Sequence, residues 1–173
     1  MRHMATFVCV VCCIAGAVAA SAQEPEPFPF PNLSLTSLEG GETIDLASLR
    51  GNPVLLAFWA SWCGPCRVEL PELVELTEEL EKTGFTLLTV NLDRSPGAAH
   101  RFMAMNELDL PVYRLNPRDL MALGIQAVPT NILLNGDGAA VRVYEGYSPT
   151  VAGDIRDVVA GMAKEETEGD GTT

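Results

Sequence analysis

Residues 54–66 read VLLAFWASWCGPC, and the fold follows from what changes within them. Val54 to Trp59 is an unbroken apolar run behind Pro53, the pattern of a strand covered on both faces. From Pro65 the period becomes helical: Leu70, Leu73, Val74, Thr77 and Leu80 recur at three- and four-residue steps, and the stripe ends at Gly84. Pro71 removes one rung of that ladder and predicts a kink one to two turns past the cysteines. Cys63 therefore stands where a buried strand gives way to a helix N-terminus. Unpaired N–H groups there stabilise an anion by up to about 2 kcal/mol, enough to lower a thiol pKa from about 8.5 to roughly 7–7.5. Cys63 is the expected attacking thiolate. Cys66, one turn inside the helix, is the more covered sulfur, placed to resolve a mixed disulfide.

Downstream, Phe85 to Leu92 reads as a second strand, and Ser95-Pro96 opens a helix carrying Ala99, Phe102, Met103 and Leu108. Leu110 to Leu115 reads as a short strand, and Asn116-Pro117 caps a short helix that runs to Leu123 before Gly124. Thr130 to Leu134 and Ala140 to Tyr144 flank Asn135-Gly136-Asp137-Gly138, a hairpin turn; Ser148-Pro149 then starts a helix with Val151, Ile155, Val158, Val159 and Met162 on one face. Upstream, Leu33 to Leu38 and Glu42 to Leu46 flank Glu39-Gly40-Gly41 as a leading hairpin, and Leu46 to Gly51 reads as a short turn. The core order β-α-β-α-β-β-α, with additions in front and in the middle, predicts an α/β domain around a central mixed sheet flanked by helices.

A chain of 173 residues with 47% apolar and 20% charged residues is the size and composition of one globular domain. Its net charge of −12 excludes a nucleic-acid partner, which needs a basic face. Residues 1–22 have a positive start, an apolar middle and a small-residue exit, so a signal peptide cleaved after Ala22 is expected, with an uncleaved N-terminal membrane tether as the alternative. Residues 23–32 form a Pro-rich linker, 33–164 the domain, and 165–173 an acidic disordered tail. Cys9, Cys12 and Cys13 fall in the leader, leaving Cys63 and Cys66 as a pair too close to staple the fold. With His100 they are one ligand short of a structural zinc site, so no metal and no cofactor beyond a redox-active disulfide is expected; His100 is assigned no role.

Trp62-Cys63-Gly64-Pro65-Cys66 with a strand before, a helix after and Val128-Pro129-Thr130 ahead of a later strand resembles the thioredoxin superfamily. The leading hairpin, FWASWCGPCRVELPEL, the element inserted between Asn91 and Leu123, VPTNILLNGDG and the final helix are more closely similar to its TlpA/ResA-like branch of exported thiol-disulfide oxidoreductases. That resemblance implies a thioredoxin-like fold with a cis Pro129 facing the cysteines. Val128 would then offer its backbone to an extended substrate segment, beside Trp62, Gly64 and Pro65. It further implies that the chain reduces protein disulfides, apocytochrome c thiols being one substrate class, and is recharged by a membrane thiol reductant of the DsbD/CcdA type. Thioredoxin carries a buried aspartate where this chain has Ala57. In the ResA-like pattern Glu69, three residues after Cys66, handles the proton instead. A glutamate near a helix N-terminus equally suits a solvated helix-face charge favoured by the dipole, and Trp62 equally suits covering apolar surface.

Two other functions compete. A peroxiredoxin-like peroxide reductase normally has threonine or serine three residues before its cysteine, where Ala60 stands here. Copper delivery of the SCO-like kind, or another thiol-binding module, competes as well, and the former uses two cysteines with three residues between them and a distal histidine. The gap here is two residues, and there is no histidine beyond His100.

Overall fold

The computed structural model describes residues 26–169, so the predicted signal segment 1–22 lies outside the described residues. The unbroken apolar run becomes β4 (Val54–Trp59), every residue of it buried, at the centre of an eight-stranded sheet among the described residues. It runs parallel to β5 (Thr86–Asn91) and antiparallel to β7 (Thr130–Leu134), so both edges and both faces are covered. β7 pairs with β8 (Ala139–Glu145), and β5 with β6 (Val112–Arg114). The leading hairpin, β2 (Ser34–Ser37) and β3 (Thr43–Asp45), adds beyond β6, and the short β1 (Phe28–Pro29) pairs with β8 at the other edge, giving the order β1-β8-β7-β4-β5-β6-β2-β3.

The pleat of β4 divides the core. Val54, Leu56 and Phe58 join Leu88, Val90, Ile132 and Leu134 on one face, against which Leu120 and Leu123 of α3 (Pro117–Leu123) pack. Leu55 and Ala57 join Leu73 and Leu76 of α1 (Gly64–Glu79) and Ile155 and Val159 of α4 (Val151–Gly169) on the other. A third cluster closes the C-terminal end of β4. There Trp59, Cys63, Cys66 and Leu70 meet Ala99, Phe102 and Met103 of α2 (Pro96–Met105), with the Trp59 and Phe102 rings 5.0 Å apart and tilted.

Three local expectations need correction. The expected linker 23–32 is not wholly a linker: Phe28–Pro29 forms β1, antiparallel to Ala139–Ala140 of β8. Proline's fixed φ and missing N–H suit an edge strand, and no apolar alternation announces so short a piece. The tail expected to be disordered from 165 instead continues α4 to Gly169, because Lys164, Glu165 and Glu166 are good helix formers extending an existing helix. In α1, Leu76 is a buried member of the stripe while Val74 is half-buried, and the helix runs through Pro71 to Glu79.

Candidate active site

Cys63 is the N-cap of α1, in extended backbone, and its Sγ accepts the Cys66 N–H at 3.1 Å. A sulfur in that position takes the place of the capping oxygen and meets one of the helix's unpaired donors. Pro65 in the first turn costs nothing there, since its missing N–H would have had no partner. Cys63 and Cys66 are joined in a disulfide with Cα atoms 5.3 Å apart. Both are buried, Cys66 the more completely, as expected for the inner sulfur. Trp62 beside them is 72% exposed, and Gly64 and Pro65 are exposed as well, so the site presents an aromatic ring and a Gly-Pro turn around a shielded sulfur pair.

The Val128–Pro129 bond is cis, and Val128 packs against the cluster that holds both sulfurs. The Pro129 carbonyl accepts the Gly146 N–H at 2.8 Å, and Thr130 Oγ1 donates to the Ala127 carbonyl at 2.9 Å, fixing the loop from both sides. Trp62, Leu92, Ile125, Gln126, Ala127 and Val128 line an open groove of about 370 Å³. The structure thus brings Trp62, Cys63, Cys66 and Val128 into one neighbourhood.

Glu69 is not a solvated helix-face charge: it is 3% exposed. One helical turn past Cys66, it faces β7, where Asn131 Nδ2 donates to its Oε1 at 2.8 Å. Burial raises its carboxyl from the usual 4.5 to about 7, opposed by the Asn131 hydrogen bond and assisted by the charge of Glu72. A carboxyl poised near neutrality one helical turn from a buried redox sulfur is equipped to take and return a proton.

The sequence reading missed Asn131; the one signal it offered was an amide inside the apolar strand Thr-Asn-Ile-Leu-Leu, and its full burial shows only in the fold. Asp93, to which the sequence reading assigned no role, lies just after β5, and its buried carboxylate holds the active-site loop. Asp93 accepts the Ser61 N–H at 3.0 Å, the Ser61 hydroxyl at 2.9 Å and Asn91 Nδ2 at 2.9 Å, and its own N–H donates to Asn91 Oδ1. Ser61 is two residues before Cys63, so Asp93 anchors the loop that delivers the sulfur. Asp93→Ala strands the Ser61 N–H and the Asn91 amide, and denaturant unfolding of the variant is expected to show a loss of about 2–3 kcal/mol. His100 is exposed on α2 and takes no part in the site.

A model of the AhpC/TSA family matches residues 28–159, which hold every site residue described above. The chain belongs to the AhpC/TSA family. Among this family member's relatives is the thiol-disulfide oxidoreductase ResA of Bacillus subtilis strain 168, 33% identical over 107 residues, covering 61% of this chain and 60% of that protein. The ResA of Halalkalibacterium halodurans is 36% identical over 118 residues, covering 66% and 65%. The chain thus spans somewhat less than two thirds of the length of these curated relatives. The solved structure of a secreted thiol-disulfide isomerase from Corynebacterium glutamicum superposes with a TM-score of 0.64 at 30% identity, covering 78% of this chain and 84% of that one. The fold is thioredoxin-like, as the motif and its flanking elements predicted.

Proposed function

We propose that this AhpC/TSA family member is an extracytoplasmic thiol-disulfide oxidoreductase that reduces disulfides in exported proteins. The observation that carries the reading is the Cys63–Cys66 disulfide at the head of α1, with Glu69 buried one turn behind Cys66 and the cis Val128–Pro129 segment packed alongside. In the reduced protein the Cys63 thiolate attacks a target disulfide, forming a mixed disulfide and releasing one target thiolate. Cys66 then passes its proton to the Glu69 carboxylate and attacks Cys63 Sγ. The second target thiolate leaves, two electrons have gone to the target, and the Cys63–Cys66 bond remains. The target's extended segment lies along Trp62, Gly64 and Pro65 and pairs with the Val128 backbone ahead of Pro129.

The leader-like residues 1–22 and the secreted relative support an extracytoplasmic setting, either free or tethered at the N-terminus. There the oxidised protein needs a membrane thiol reductant of the DsbD/CcdA type to return its electrons, and the disulfide formed by apocytochrome c cysteines, reduced to thiols, is one substrate class that fits. Peroxide reduction fits less well, because Ala60 stands where that chemistry normally has threonine or serine. The test is insulin reduction in the presence of dithiothreitol together with the potential of the Cys63/Cys66 couple. A value near about −270 mV is expected for a reductant, and a value above about −150 mV, in the range of strong oxidants, overturns that direction.

A further inference from the structure

The Asn131 amide is wholly buried, yet only one of its two ends is used. Nδ2 donates to Glu69 Oε1, while Oδ1 is buried without a hydrogen-bond partner among the described residues. A buried acceptor left unpaired is costly, and in a native core it calls for a reason. In the sheet Asn131 stands opposite Ala57 of β4 and Tyr144 of β8. Ala57 has no polar group to offer, and the Tyr144 hydroxyl is taken up by Asp154. The neighbour whose hydrogen-bonding character changes during the reaction is Glu69. As a carboxylate it only accepts, so it satisfies Nδ2 and offers Oδ1 nothing; as a carboxylic acid it gains one O–H donor. When an amide and a carboxylic acid already share one N–H···O bond, that O–H and the amide oxygen are the remaining complementary pair.

We propose that Asn131 is a positioning residue that holds Glu69 in both protonation states, donating through Nδ2 to the carboxylate and accepting through Oδ1 from the carboxylic acid. This rests on the proposed role of Glu69 as acceptor of the Cys66 proton. The proton leaves Cys66 Sγ and becomes the O–H of Glu69, and the bond that O–H makes to Oδ1 keeps the carboxyl in place until the proton is returned. The titratable groups that act on Glu69 among the described residues are Glu72 from its own helix and Tyr147 from the connection between β8 and α4, whose hydroxyl donates to Glu72 at 2.9 Å; Cys66, one helical turn away, joins them once the disulfide is reduced. None of these supplies Oδ1 with a donor.

Asn131→Thr and Asn131→Val test the idea, because the two side chains have nearly the same shape and only threonine's hydroxyl can both donate and accept. In the full chain, Asn131→Val is expected to slow insulin reduction at pH 7 by about tenfold or more and to move the rising limb of the pH–rate profile up by about one unit; Asn131→Thr should keep that limb within about half a unit. Asn131→Ala should repeat the valine result with a smaller side chain. In a Glu69→Gln background, Asn131→Val should change the rate by less than about twofold, since a residue acting through Glu69 has nothing left to act on. Equal behaviour of the threonine and valine variants, or an undiminished valine effect in the glutamine background, overturns the assignment. If Glu69→Gln alone leaves the profile unmoved, the proton-acceptor reading falls and takes this inference with it. If Glu69→Gln moves the profile and Asn131→Val does not, only the inference falls.

Discussion

Cys66→Ser will stop turnover and collect target proteins on Cys63. With Cα atoms 5.3 Å apart, Cys66 resolves the mixed disulfide from within the same helical turn. Well-oriented intramolecular attack has effective molarities of about 10⁵ M or more, against millimolar dithiothreitol from outside. Insulin reduction by the variant should therefore fall by at least about a thousandfold. The adduct should appear as a larger species on a non-reducing gel, collapse on reduction, and disappear when Cys63→Ser is added. Loss of the disulfide removes a very small closed loop, worth about 2 kcal/mol, so the variant is expected to fold and the trap to be readable. Unimpaired turnover, or an adduct that persists without Cys63, would remove the dithiol mechanism altogether.

How far the site was legible depends on what each residue's place rests upon. Cys63 and Cys66 are fixed by local pattern: an apolar run, a change of period, and a motif at the junction, all within thirteen consecutive residues. The major strands and helices follow from the same periodicities, and α3 ends where Gly124 was expected to cap it; α1 instead stops at Glu79, and the residues up to Gly84 form a separate tighter turn. Glu69 was legible as a position relative to Cys66 but not as a buried group, because its burial comes from β7, and its partner Asn131 lies 62 residues away. Asp93 was hidden for the same reason, since it reaches Ser61 across 32 residues of chain. Neither polar pairing has a period to betray it. The short β1 was illegible on other grounds: it is held by backbone pairing at a sheet edge, which leaves no mark on side-chain order.

Glu69→Gln is expected to make the protein more stable and a poorer catalyst, with the two effects separated by pH. In the unfolded chain the carboxyl ionises near 4.5; in the folded protein burial holds it to about 7. Below pH 4.5 both states carry the proton and Glu69 costs nothing. Between 4.5 and 7 the unfolded chain has released its proton while the folded chain still holds it, so stability falls as pH rises. Above 7 the whole penalty is present, about 3 kcal/mol for a carboxyl raised from 4.5 to about 7. Glutamine never ionises, and its N–H can supply Asn131 Oδ1 with the donor that the carboxylate cannot. Urea unfolding of the oxidised proteins should therefore show the variant ahead by about 3 kcal/mol at pH 8 and level with the parent at pH 4. Insulin reduction at pH 7 should fall by about a hundredfold, with the remaining activity rising toward the thiol's own ionisation above about 8.5. A gain in stability that is the same at both pH values, or an unchanged rate, would mean that the buried carboxyl serves packing alone. The opposed signs at neutral pH are what a group kept for proton transfer requires, because the charge that destabilises the folded chain is the charge that draws the proton from Cys66.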